Sequence, residues 1–285
     1  MRQLISSGLK RLVKQEQRYP RGDRHAKIVA IATVKGGVGK TTSAINLASA
    51  LATLHDRRVL LIDLDAQGHC STSLSSLLPS RPVYTPLSQI LLDDDRKQVL
   101  DAIVSTQHQR LDITPADASL AEAEGRISQK IGKEMLLRDA LSITRSHYDV
   151  ILIDCPPNKG NLTLNALLAA DHVLIPTDLS PLAVQGADEL IEAVITVNER
   201  LQHQLDVLGV LLTRVDGRNT SLNDDIRARI KEAWGELVLE SEIGVNTQLC
   251  QAQHEGSPIF DFAPKSRGAE HYRALASEIA QRLWP

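Results

Sequence analysis

The 285 residues are 42% apolar, 24% charged and 3% aromatic, with a formal charge of -3. Two Phe, two Trp and four Tyr leave few rings for a surface that stacks single-stranded bases. Cys70, Cys155 and Cys250 are far apart and form no paired ligand motif, which excludes a disulfide framework and a cysteine-held cluster. Reduced thiols of a cytoplasmic protein are expected. No apolar run reaches the length of a membrane span or has the form of a signal peptide.

Residues 1–26 read as a basic amino-terminal extension. Up to residue 27 there are eight Lys/Arg against two acids, and Pro20 and Gly22 separate this part from the first strand. Leu4, Ile5, Leu9, Leu12 and Val13 share one helical face beside Lys10, Arg11 and Lys14. This pattern fits either a surface-binding basic helix or a flexible, poorly ordered tail.

Residues 27–285 read as one ATPase-type domain. Apolar runs at 28–33, 59–64, 111–114, 150–153, 173–175 and 207–212 do not alternate with polar residues. Runs of this kind suit strands covered on both faces. Amphipathic stretches at 42–55, 133–145, 183–200, 223–234 and 268–283 predict the intervening helices. The expected fold is α/β: a mostly parallel twisted sheet with helices on both faces and a ligand at the carboxyl ends of the strands. Residues 79–110, with their prolines and Asp93-Asp94-Asp95, read as a peripheral excursion with a solvated acidic face.

The first strand runs into Val34-Lys35-Gly36-Gly37-Val38-Gly39-Lys40-Thr41-Thr42, and a helix comes next. Strand, glycine-rich loop and helix are the context a phosphate-binding loop needs. The glycines let backbone N–H groups turn toward phosphate oxygens, and the helix adds its positive end. Lys40 is expected on the β- and γ-phosphates, the Thr41 hydroxyl on Mg²⁺ and Thr42 on the α-phosphate. Val34 replaces the first glycine of the general motif, and Lys35 is an additional lysine.

Two further strands end in acids, at Leu60-Leu-Ile-Asp63-Leu-Asp65 and Val150-Ile-Leu-Ile-Asp154-Cys-Pro-Pro157. An Asp leaving an apolar strand is costly to desolvate unless a cation or hydrogen-bond donors meet it. Asp154 suits the magnesium shell, and Asp65, on a mobile turn, suits the attacking water.

Together these segments resemble the ParA/MinD family of deviant-Walker P-loop ATPases, and within it the Soj-like ParA partitioning branch. Leu162-Thr-Leu-Asn165, Leu211-Leu-Thr213-Arg-Val-Asp216-Gly-Arg218 and Asp261-Phe-Ala-Pro-Lys265-Ser-Arg267 extend the resemblance over residues 28–283. The resemblance implies ATP and Mg²⁺ as ligands and a homodimer formed with ATP. In that dimer Lys35 reaches the partner subunit's phosphates, and Asn165 lies at the dimer face. Thr213 and Asp216 are implied near the base. A ParB-like or cargo-adaptor protein is implied as the stimulator of hydrolysis, and the nucleoid as the site of action.

Ala66-Gln67-Gly68-His69 stands where the family usually has Pro-Gln-Gly-Asn, and His69 reads as a tolerated loop variant. Val245 and Gln248 stand where relatives carry basic residues for non-specific DNA binding. Arg218, Lys265 and Arg267 remain as DNA-binding candidates, with Arg273 and Arg282 on the last helix. The short leading segment predicts no helix-turn-helix domain, and the last residues predict no membrane-binding tail helix. Two other readings are a MinD-like membrane switch anchored by residues 1–19 and a metabolic P-loop enzyme.

Overall fold

The computed structural model describes residues 19–93, 97–216 and 220–285. Eight strands form one sheet: β1 (Lys27–Ile31), β2 (Val59–Asp63), β3 (Val104–Ser105), β4 (Leu111–Thr114), β5 (Val150–Asp154), β6 (His172–Asp178), β7 (Asp206–Val215) and β8 (Val238–Gly244). Their order is β3-β4-β2-β5-β1-β6-β7-β8, with β3 antiparallel to β4 and every other pair parallel.

The continuous apolar runs have a direct explanation in the pleat. Ile28, Ala30, Leu60, Ile62, Ile151 and Ile153 point into one core, and Val29, Ile31, Val59, Leu61, Val150 and Leu152 into the other. Successive side chains face opposite sides of a sheet, so helices on both faces require every position to be apolar. Helices Lys40–Leu54 and Arg267–Leu283 help cover the second core; Asn161–Ala169 and Pro181–Leu201 help cover the first.

Two expectations are corrected. Residues 79–83 are exposed, but the rest of the 79–110 segment is not peripheral: Leu87, Ile90, Leu91, Val99 and Ala102 are buried in the first core. The short helix Leu87–Leu92 brings its apolar side chains onto the sheet, and Val104–Ser105 extends the sheet's edge. Asp93 pairs with Lys97 at 3.0 Å; Asp94 and Asp95 lie outside the described residues. The helix expected over 133–145 is broken into 3₁₀ turns at Lys133–Met135 and Thr144–Ser146 around Leu136–Leu141. Gln98 Oε1 accepts the Ile143 N–H at 3.1 Å and so takes a donor from the helix ladder.

The chain enters along the amino-terminal edge of the sheet. Arg24 and Ala26 N–H groups donate to the Ser146 and Arg145 carbonyls at 2.9 and 2.8 Å, and the Arg24 guanidinium pairs with Asp149. Tyr19 donates its hydroxyl to Asp101. The amphipathic pattern in residues 1–18 lies outside the described residues.

Asn165 is also placed differently from the expectation that it lies at a dimer face. It is fully buried, donating to the Lys133 and Asn161 carbonyls at 2.8 Å each and accepting the Leu137 N–H at 3.1 Å. Both its amide donors and its carbonyl oxygen are engaged inside the subunit, where it ties helix Asn161–Ala169 to Leu136–Leu141. Asn165→Ala should therefore lower stability by about 2–3 kcal/mol in urea unfolding, because it strands buried backbone groups. A residue acting only at a dimer face would leave the monomer's stability unchanged.

Candidate nucleotide site

The candidate site begins where β1 ends. Gly37 and Gly39 have φ of +79° and +82°, a backbone that side chains rarely adopt, whereas Gly36 stands in open space. Gly39 caps helix Lys40–Leu54, whose amino end therefore opens onto the loop. The strand neighbours supply acids at the same level, since Ile31 lies opposite Asp154 and Asp154 opposite Asp63.

Lys40 and Thr41 both turn to Asp154, with Nζ and Oγ1 each 2.7 Å from a carboxylate oxygen. The pair is almost dry, with side chains 7% and 0% exposed. Burial by itself would lower the Lys40 ammonium, but the charge of Asp154 and its hydrogen bond outweigh this and hold it above its ordinary value.

Behind Asp154 sit Asp63 and Cys70, all three fully buried with ligand atoms within 4.8 Å of one another. Burial first, and then the charge of Asp154, pushes the Asp63 carboxyl up to about 7. Burial also holds the Cys70 thiol well above its usual range, so it stays protonated and donates to Asp154 at 3.3 Å. A thiol among carboxylates is a poor set for magnesium, which takes hard oxygen ligands. Thr41 and Asp154, by contrast, are oxygen donors at the helix end and fit that ion.

Asp65 is 8% exposed, on a turn that carries its own hydrogen bonds. Its carboxylate accepts the Gln67 N–H at 3.1 Å and its carbonyl the Gly68 N–H at 2.9 Å. Lys35 sits at the rim, a third exposed, donating to Asp178 at 3.1 Å and Ser180 at 2.8 Å of its own chain. Thr213 is buried and donates to the Val38 carbonyl at 2.6 Å.

These groups surround a cleft of about 610 Å³ lined by Lys35, Gly36, Gly37, Gly39, Lys40, Thr41, Thr42, Asp65, Gln67, His69 and Thr213. Val38 is buried beneath the loop, and Asp216, just beyond β7, is not part of this lining. The opposite wall was not foreseen from sequence: Arg214, Ile243, Gly244, Val245, Asn246, Leu249, Cys250, Gln253 and Tyr272. Most of it comes from the end of β8 and the helix after it. β8 reads Val-Leu-Glu-Ser-Glu-Ile-Gly, with no continuous apolar run to betray a strand.

Of the DNA candidates, Lys265 and Arg267 are exposed around Ser266, the cap of the last helix. Arg273 and Arg282 are already engaged, donating to the Pro264 and Leu208 carbonyls at 3.3 and 2.9 Å. Arg218 lies outside the described residues.

A parallel sheet carrying this loop, with acids on the adjoining strand ends, defines a P-loop NTPase. The comparisons with known proteins agree. Residues 26–207 match the family model described as an AAA domain. The chain is 40% identical over 254 residues to the sporulation initiation inhibitor protein Soj of Bacillus subtilis, covering 89% of this chain and 98% of that one. It is 39% identical over 258 residues to the chromosome partitioning protein ParA of Caulobacter vibrioides, covering 90% and 94%.

Among solved structures, a Cyanothece McdA variant in complex with ATP superposes with a TM-score of 0.80 at 23% identity, covering 91% of this chain and 97% of that one. A Mycobacterium smegmatis protein named cobyrinic acid a,c-diamide synthase, solved with an ATP analogue and magnesium, gives 0.74 at 31% identity, covering 88% and 93%. The chain belongs to the ParA/MinD family of P-loop ATPases, on its Soj-like ParA branch.

Lys40→Met tests how far the site depends on its buried ion pair. Leaving the Asp154 carboxylate without its cation in a dry site should cost about 3–5 kcal/mol of stability. Adding Asp154→Asn should recover part of that loss in urea unfolding.

Proposed function

We propose that this chain is a magnesium-dependent ATPase that dimerises with ATP and positions or segregates a large cargo, whether a plasmid, a chromosome or a protein assembly. The observation that carries the reading is the pair of lysines on the phosphate loop. Lys40 is committed to the interior, and Lys35 stands at the rim, where a second subunit could meet it. A loop serving only its own subunit needs one such cation.

In this reading Lys40 binds the β- and γ-phosphates, and the loop N–H groups from Gly36 to Thr42 cradle the chain of phosphates. Thr41 and Asp154 hold magnesium, which when bound neutralises phosphate charge. Asp65 orients the attacking water from its closed turn. Lys35 leaves Asp178 and Ser180 to reach the partner subunit's phosphates. Thr213 and Asp216 stand on the base side. A ParB-like or cargo-adaptor protein stimulates hydrolysis and so ends each cycle.

The relatives' names, Soj and chromosome partitioning protein ParA, support a cytoplasmic protein acting on the nucleoid. Non-specific duplex DNA is the proposed track, met by Lys265, Arg267 and Arg218 from both subunits. The 31% identity to the protein named cobyrinic acid a,c-diamide synthase supports a second reading, a small-molecule amidating enzyme. ATP turnover that requires a carboxylic acid and ammonia, and ignores any protein partner, would favour that alternative.

Three measurements check the proposal. Asp65→Ala should still bind ATP but lose phosphate release by at least about a hundredfold, the low end of what one positioned group contributes. Light scattering of Asp65→Ala should show a monomer that becomes a dimer with ATP, and Lys35→Ala added to it should abolish the dimer. The Asp65→Ala protein with ATP should retain random duplex DNA, with affinity falling at a log–log salt slope of roughly -0.9 per phosphate contacted. Replacing Lys265 and Arg267 by Ala should make that slope shallower. Retention independent of ATP and of salt would count against the DNA track.

A further inference from the structure

Arg214 stands apart in the wall of the cleft. Its φ is +53°, in the left-handed region that side chains avoid. Along the β7–β8 pairing, Thr213 lies opposite Ile243 and Val215 opposite Gly244, so Arg214 is an extra residue with nothing opposite it. That is a β-bulge, and a bulge residue in this conformation is ordinarily glycine. Asp56, Arg110 and Gln202, the other non-glycine residues with positive φ among those described, do not line the cleft.

The bulge has a visible result. It puts the Arg214 guanidinium over the phosphate loop, where Nη1 donates to the Gly37 carbonyl at 2.7 Å. One residue earlier, Thr213 holds the Val38 carbonyl at 2.6 Å. Consecutive residues at the end of β7 thus grip consecutive carbonyls of the loop. A Gly37 carbonyl free to turn over would put partial negative charge beside the phosphate oxygens and take an N–H group away from them. Strain kept at a binding site without benefit to packing is a mark of function.

We propose that Arg214 is a positioning residue for the phosphate loop, acting on bound nucleoside di- and triphosphates by fixing the Gly37 peptide through its carbonyl. The inference rests on the nucleotide-binding reading of the same cleft. It concerns the phosphate side, so ATP and ADP should feel it alike.

The test pairs thermal unfolding of the ligand-free protein with calorimetric titration of ATP and ADP in magnesium, for the wild type, Arg214→Gly and Arg214→Lys. Glycine relieves the left-handed backbone and removes the guanidinium. The melting temperature should hold or rise, while affinity for both nucleotides falls about tenfold, the scale of one charge-assisted hydrogen bond. Lysine keeps one charged donor, so it should recover most of the affinity on a less stable backbone than the glycine variant. Wild-type affinity in Arg214→Gly overturns the proposal and leaves the nucleotide reading standing. Weaker binding accompanied by a lower melting temperature also overturns it, since the arginine then only supports the strand end. A wild-type protein that binds neither ATP nor ADP overturns both.

Discussion

The ion pair of Lys40 with Asp154 is the constraint around which the rest of the site is arranged. Two full charges sit 2.7 Å apart where almost no water reaches, and neither could stay there alone. The pair joins the first residue of a helix to the last residue of the central strand β5. It thereby sets the height at which the phosphate loop leaves the sheet. Its influence extends backwards as well: burial first, and then the charge of Asp154, push Asp63 on the neighbouring strand end toward its neutral form.

The same logic extends to the side chains around the pair. Thr41 rests on Asp154, Lys35 on Asp178, and Asp65 on the backbone of its own turn. These three side chains are thus each held by a partner inside the chain.

Much of this was legible in the sequence, for identifiable reasons. Strands covered on both faces write themselves as unbroken apolar runs, and the glycines of the loop stand out because Gly37 and Gly39 need positive φ. What escaped was written in weaker terms. β8 is a half-exposed strand at the sheet's edge with two glutamates in it, so its composition resembles a loop. The helix over 133–145 has the right periodicity, but Gln98, more than thirty residues away, takes one of its N–H groups. Asn165 sits in a family-like segment, yet its role is decided by the Lys133 carbonyl and the Leu137 N–H, which only the fold brings near. Arg214 carried no signal, because a bulge is a property of two strands together.

The entry of the chain along the amino-terminal edge has a consequence for how the molecule can be handled. In a parallel sheet all the chemistry gathers at one pole, and the bonds from Arg24 and Ala26 to Ser146 and Arg145 fasten the incoming chain at the other. A change to residues 24–26 therefore acts on the pole away from the phosphate loop, where it can loosen the start of the sheet without touching the lining of the cleft.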